Sequence, residues 1–533
     1  MPRTVQRRGG DGGAARVDPA DHARAGAGRL DGGRGCGDMS TRGIAAVAAE
    51  QPERPALLCD GAAMSYGELD TAINRAANAL HAAGVGPGDR VAVRLQNGPE
   101  IFVAWNAAAR LGALVVPVST RLVAPEVAHI VGDSGAVACI HDDSDLMSAA
   151  LREGGGVRAL LHRDDPALHD QPPTPPNEEF LGAWAMLMSY TSGTTGRPKG
   201  VRRPPPPPAR VAPPAPVAEF WGFTDRDVHL LCGPAYHTGP GAYAEMHLVE
   251  GGTVVIMRRF DATECLRLIE EHRVTTAHMV PANFVYILEA GWRERDLSSV
   301  RRILHAAAPC PVPVKRRILE VFPPGSVWEY YGASEGIGSV ISPEEWLQHP
   351  GSVGRAFPGV ELRILGEDGA ELPPGEVGTI YIAPPSGHGF EYHNNEPDTR
   401  AAWRDAMFTV GDLGWLDEDG YLFIADRRDD LIIRGGVNIY PAEVERELAE
   451  EADVLDAAVI GLPDPVLGQS VHAVVQLRPG APRDGEALRA RLGERLAGFK
   501  LPRTFDFVEQ LPREPTGKVN KRRLRAAALV GRR

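Results

Sequence analysis

The sequence predicts an α/β protein: a large N-terminal domain of parallel-sheet βα layers plus a small β unit, followed by a small α+β C-terminal domain. Three observations predict it. Short apolar runs alternate with amphipathic helical stretches through the early part of the chain, the pattern of a parallel sheet with crossover helices. From about residue 360 the segments become short, alternating and punctuated by glycine. After Asp426 a compact mixture of strands and helices begins. At 533 residues the chain is also too long for one ordinary domain.

Residues 1–38 are Gly, Ala, Arg and Asp with almost no large apolar side chain. They cannot bury enough surface to offset the entropy of ordering, so a disordered leader is expected. Structure is expected from Thr41. Residues 66–83 have helical spacing stopped by Gly84; 90–95 read as a strand, 100–111 as a helix and 113–118 as a strand. The alternation returns at 253–257, 262–272 and 276–279, and 184–188 read as a further strand. Residues 204–216 hold eight prolines, five of them consecutive, which makes polyproline II or an irregular loop. Segments 361–365, 378–382 and 420–424 read as the small β unit. Beyond it, 431–434, 457–461 and 472–477 read as strands, and 442–450 and 485–496 as helices, with a domain boundary near 426–430.

Composition narrows the function. Apolar residues make 43% and charged residues 24%, the proportions of a globular protein. Lys plus Arg number 57 against 70 Asp plus Glu, for a formal charge of -13. An acidic whole lacks the basic face of a general nucleic-acid binder, though a local pocket can still attract a small anion. No window reaches the ~18 consecutive apolar residues of a membrane span. Six scattered cysteines without a C-x-x-C pair suit a reducing compartment, so the cytoplasm is expected.

The strongest motif is Tyr190-Thr-Ser-Gly-Thr-Thr-Gly-Arg-Pro-Lys199-Gly200. Gly193 and Gly196 let backbone N–H groups turn inward. The hydroxyls of Thr191, Ser192, Thr194 and Thr195 add donors, and Lys199 adds charge, so the segment makes a polyphosphate cradle. It is no Walker A loop, because Pro198 stands where a glycine is needed and no G-K-[ST] closes it. A flexible linker has no need of the Arg-Pro-Lys-Gly ending.

This loop resembles the signature of the adenylate-forming superfamily, which includes acyl-CoA synthetases, peptide-synthetase adenylation domains and luciferases. The likeness runs in order from about residue 41 to 528. Tyr330-Tyr-Gly-Ala-Ser-Glu-Gly336 resembles the second signature. There the resemblance implies Tyr331 on adenine beside Gly332, Ser334 on the α-phosphate and Glu335 helping to hold Mg2+; Ser334 replaces the family's usual Thr. Asp412 in Phe408-Thr-Val-Gly-Asp-Leu413 would accept the ribose hydroxyls, as a carboxylate suits two O–H donors. In Asp426-Arg-Arg-Asp-Asp430, Arg427 would reach the ribose and Asp429 matches the interdomain hinge. Gly435 and Gly436 would let the chain lie close to coenzyme A. Lys518, in Thr516-Gly-Lys518, would bridge the attacking carboxylate and the α-phosphate. His237 falls where the family lines its acyl pocket. Ala308 lies in a small-residue strand beside adenine, in which Ala306 replaces a frequent Gly.

The resemblance thus implies a domain at 39–428 and a mobile one at 429–533. The function it implies is that of an acyl-CoA ligase using ATP, Mg2+ and coenzyme A on an apolar carboxylic acid through acyl-AMP. Small residues at 239–244 and 306–308 suggest room for a bulky or polycyclic acid. Three other readings stay open. The proline run beside the loop suits an enzyme that only thioesterifies acyl-AMP made by a separate adenylating enzyme. Gly332-Ala-Ser334-Glu-Gly336 matches the nucleophile elbow of a serine hydrolase, though the β-branched, glycine-rich segment after it is poor helix material. The third is a non-catalytic acyl-AMP binder, against which the retained Lys518 argues.

Overall fold

A computed structural model describes residues 43–153, 156–192, 198–203, 215–385, 389–427, 430–514 and 517–530. The expected leader, most of the proline run, Gly193, Thr194, Thr195, Gly196 and Asp429 lie outside the described residues.

The early alternation builds a four-stranded parallel sheet in the order Leu114–Pro117, Arg90–Arg94, Ala138–His141, Ala159–His162. Its strands are joined by the helices Pro99–Ala109, Ala124–Ser134 and Ser144–Glu153. Val91, Ala92, Val93, Val115 and Val116 are all fully buried, as continuous apolar strands must be when both faces are covered.

A nine-stranded sheet forms the centre. Six of its strands run parallel, in the order Val327–Ala333, Arg302–His305, Thr276–Met279, Val228–Leu231, Thr253–Ile256 and Pro55–Cys59. Gly336–Ile341 and Arg355–Ala356 extend one edge and Ala62–Ser65 the other, all antiparallel. Helix Tyr66–Ala82 starts at a Ser65–Glu68 capping box that satisfies two end N–H groups. The buried Tyr66 hydroxyl then ties this helix to the carbonyls of Leu248 and Gly252.

The glycine-punctuated segments form a six-stranded antiparallel sheet that includes Glu361–Leu365, Gly378–Ala383, Asp412–Leu416 and Leu422–Arg427. The last of these starts later than expected because Gly420, at φ +81°, turns the chain. Residues from Ile432 onward make their own five-stranded sheet, with Val454–Asp464 and Gly468–Leu477 as its long pair. Helices Pro441–Ala449 and Gly485–Leu492 supply Val444, Leu448, Leu488 and Leu492 to its core. The segment 184–188 is not a strand: it makes one parallel bridge, Val115 to Leu187, and the strand proper is Ser189–Ser192.

Candidate active site

The loop of the strongest motif is the connection of a β-hairpin. Ser189–Ser192 pairs antiparallel with Pro198–Arg202, so Thr191 faces Lys199 and Ser192 faces Pro198 across the ladder. The outer strand pairs in turn with Glu391–Tyr392. That pairing places Lys199 Nζ 2.5 Å from Asp398 Oδ2 and 5.2 Å from the centre of the Tyr392 ring. The Tyr392 hydroxyl donates to Glu335 Oε1 at 2.9 Å. The hairpin and the second signature are thereby joined through one tyrosine.

Glu335 is buried and sits at the tip of the hairpin Val327–Ala333 to Gly336–Ile341. A side chain on Gly332 would stand 2.8 Å from the Gly336 carbonyl, so the tight crossing needs glycine there. Because a strand follows Gly336, no helix is available to complete a nucleophile elbow. Ser334 Oγ lies 3.1 Å from the Thr238 hydroxyl, which also donates to Ser189 Oγ at 2.9 Å. Arg203 donates to the Ser334 carbonyl at 3.0 Å. Thr238 opens helix Thr238–Glu250 with His237 as its N-cap, so that helix points its positive end at Ser334.

On the other side, the Tyr331 hydroxyl donates to Asp412 Oδ2 at 2.8 Å, and Arg427 Nε lies 3.3 Å from Asp412 Oδ1. Burial and the Asp412 carboxylate push the Tyr331 phenol well up, which keeps it a neutral donor. Lys518 arrives from the far end of the chain. Burial and the Arg427 guanidinium lower its ammonium to about 8, against the opposing pull of Asp412, Glu514 and Glu335. His237 is pushed down to about 4 by burial and by the charges of Lys518 and Arg121, so it is neutral at physiological pH.

The Lys518 loop is seated by close contact. Gly517 has φ +79°, and a Cβ there would stand 2.7 Å from Val280 Cγ2 at the end of a central strand. Arg478 pairs with Glu289 at 2.7 Å and Gln510 donates to Tyr286 at 3.2 Å, both on helix Pro281–Glu289.

Lys518, His237, Ser334, Glu335, Tyr331, Asp412 and Arg427 are thus brought together, bracketing anions with cations and donors. Gly435 and Gly436 stand apart from this group. They form an exposed two-residue hairpin turn with φ +59° and +81°, a geometry that favours glycine at both positions. Ala308 follows strand Arg302–His305. In its loop the backbone strain sits at Ala307, with φ +78°, and not at Ala306. Within the small residues at 239–244, a Cβ on Gly241 would strike the Ala235 carbonyl and Trp105, and one on Gly239 would strike His278, so these two glycines mark close approach. Sequence reading missed Tyr392, Asp398 and Thr238, whose roles arise from pairings across distant segments; only the Asn395–Asp398 capping pattern hinted at one of them.

Magnesium takes hard oxygen ligands and keeps several waters alongside one or two carboxylates and phosphate oxygens. Glu335, with one carboxylate oxygen bound to Tyr392 and the other making no hydrogen bond among the described residues, fits that demand.

A family model described as AMP-binding enzyme matches residues 44–388, and one described as AMP-binding enzyme C-terminal domain matches 443–518. A feruloyl-CoA synthase of Amycolatopsis sp is 36% identical over 494 residues, covering 89% of this chain and 96% of that one. A fatty acid–[acyl-carrier-protein] ligase of Streptomyces coeruleorubidus is 34% identical over 504 residues, covering 90% and 94%. Among solved structures, the o-succinylbenzoate coenzyme A synthetase of Bacillus subtilis in complex with ATP and magnesium ion superimposes with a TM-score of 0.78. It shares 31% identity and covers 90% of this chain and 98% of its own.

Proposed function

The chain belongs to the AMP-binding enzyme family, as an AMP-forming acid–thiol ligase that uses ATP, Mg2+ and coenzyme A, and from that premise we propose how its residues divide the work. It activates an apolar carboxylic acid as acyl-AMP and then passes the acyl group to the coenzyme A thiol. The chain divides at Asp429 into a domain at 39–428 and a smaller one at 429–533.

A carboxylate is a poor electrophile because its leaving group would be an oxide. Attack of one carboxylate oxygen on the α-phosphorus of ATP expels pyrophosphate and turns that oxygen into part of a phosphate leaving group. The step brings anions together, so catalysis is chiefly charge neutralisation and position. Lys518 donates to the carboxylate and the α-phosphate. Ser334 and the N-terminal N–H groups of helix Thr238–Glu250 face the same phosphate. Lys199, with Thr191, Ser192, Gly193, Thr194, Thr195 and Gly196, cradles the departing pyrophosphate. Tyr331, Gly332 and Ala308 flank adenine; Asp412 and Arg427 hold the ribose. Glu335 would hold magnesium, which screens phosphate charge when bound. Neutral His237 lines the acyl site without adding charge beside the carbonyl. In the second step the thiol attacks that carbonyl and AMP leaves; the small domain turns at Asp429, withdrawing Lys518 and bringing Gly435 and Gly436 to the pantetheine.

The observation that carries this reading is the arrival of Lys518 beside Asp412, Arg427, Glu335 and His237 from more than ninety residues away in sequence. Mass spectrometry of products from Mg-ATP and a panel of acids, with and without coenzyme A, tests it. Acyl-AMP without coenzyme A and acyl-CoA with it are expected. Thioester formed only from supplied acyl-AMP would overturn the adenylation half, and release of free acid from an ester without ATP would overturn the whole.

A further inference from the structure

Behind Ser334, where the proposed scheme places the reacting acid, stand two packed residues that the scheme does not use. Thr238 bonds to Ser334 at the reaction locus, and the next residue along the helix, Gly239, lies directly against Tyr330 and His278. A Cβ on Gly239 would be 2.9 Å from the His278 ring and 3.4 Å from the Tyr330 hydroxyl, so no space separates helix and wall. His278 Nε2 and the Tyr330 hydroxyl share a hydrogen bond of 2.9 Å. Tyr243 stacks on the His278 ring with centroids 5.3 Å apart, and Trp221 closes behind Tyr330 at 6.3 Å. Leu304, on the strand between His278 and Tyr330, belongs to the same buried cluster.

The wall is costly as packing. His278 is 3% exposed, and its Nδ1 has no partner among the described residues. An apolar pair would fill the volume without leaving a buried polar atom unpaired. Burial lowers the imidazole to about 3, so it is neutral and shares one hydrogen bond with the phenol.

We propose that Tyr330 and His278 are specificity-determining residues that end the acyl site, so that the enzyme activates compact acids, short-chain or single-ring, and rejects long-chain and polycyclic ones. The inference rests on the ligase reading above. It replaces the bulky acid suggested by the small residues, because Gly239 lies in close contact with the wall and Gly241 with Trp105.

The test measures kcat/KM for acyl-CoA formation with propionate, benzoate, hexadecanoate and a naphthoate, for wild type, Tyr330→Ala and Tyr330→Phe. Pocket contacts discriminate by about 10–200-fold per methylene-sized mismatch. Wild type should therefore favour propionate or benzoate over hexadecanoate and naphthoate by ~100-fold or more. Tyr330→Ala should shrink that ratio at least tenfold, while Tyr330→Phe, which keeps the bulk, should leave it within threefold. Thermal melting with and without ATP shows that each variant is folded. Equal use of hexadecanoate and benzoate by wild type, or an unchanged ratio in a folded Tyr330→Ala, overturns the size limit and leaves the ligase standing. Failure with every acid, and with synthetic benzoyl-AMP plus coenzyme A, overturns the ligase reading and this inference with it.

Discussion

The two sides of the site are held in opposite ways. The wall of Tyr331, Asp412 and Arg427 is built within one region, by a part-buried hydrogen bond of 2.8 Å and an ion pair of 3.3 Å that share the buried Asp412 carboxylate. Lys518 is held from outside by a docked loop whose supports, Arg478–Glu289 and Gln510–Tyr286, are exposed. Exposed ion pairs are worth about 0–1 kcal/mol, so the Arg478–Glu289 pair adds little to the hold. One side is preformed within a single region; the other is delivered by the last part of the chain, which suits a group that the proposed scheme needs in only one of two steps.

The largest effect should come from removing the delivered group. Lys518→Ala should lower acyl-AMP formation by ~10²–10³ while sparing thioester formation from supplied acyl-AMP. Equal loss in both steps would break the contrast. Gly517→Ala should act in the same direction more mildly. Its φ of +79° penalises a side chain by about 1–2 kcal/mol, and the Val280 contact adds to it, so adenylation should fall about tenfold with the second step unchanged. Single-turnover assays of each half-reaction read both variants.

A pH profile sharpens the contrast. Lys518 acts as an ammonium, and its pKa is lowered to about 8, so it loses its proton as pH rises through 8. The kcat/KM for adenylation, which reports the free enzyme, should therefore fall above pH 8 and hold below it. Lys518→Arg should remove that fall, and the thioester step should lack it. The smallest effect lies away from both sides, in the loop after strand Arg302–His305. Ala307→Gly relieves a left-handed alanine and should stabilise the fold by about 1 kcal/mol in urea unfolding, with both half-reactions kept.

Much of the scaffold was legible because its signals are local. Apolar alternation placed the strands at 90–94 and 276–279 within a residue or two, and the segment after Gly336, read as poor helix material, is a strand. The site's separate motifs were also readable, since each carries its chemistry within a few residues. What joins them was not. Lys199 meets Asp398 and Tyr392 meets Glu335 only after strand pairing brings segments distant in the sequence together. The glycines at 239 and 241 read as space, yet a missing side chain is equally a sign of close approach, and only packing distinguishes the two.

The central claim is that the acid's own oxygen attacks the α-phosphorus of ATP. The direct measurement uses a carboxylic acid labelled with 18O in both oxygens, Mg-ATP and coenzyme A, with mass analysis of AMP and pyrophosphate after turnover. One labelled oxygen in AMP for each thioester, and none in pyrophosphate, is the result predicted. Label in pyrophosphate or phosphate, or thioester formed with unlabelled AMP, would contradict it.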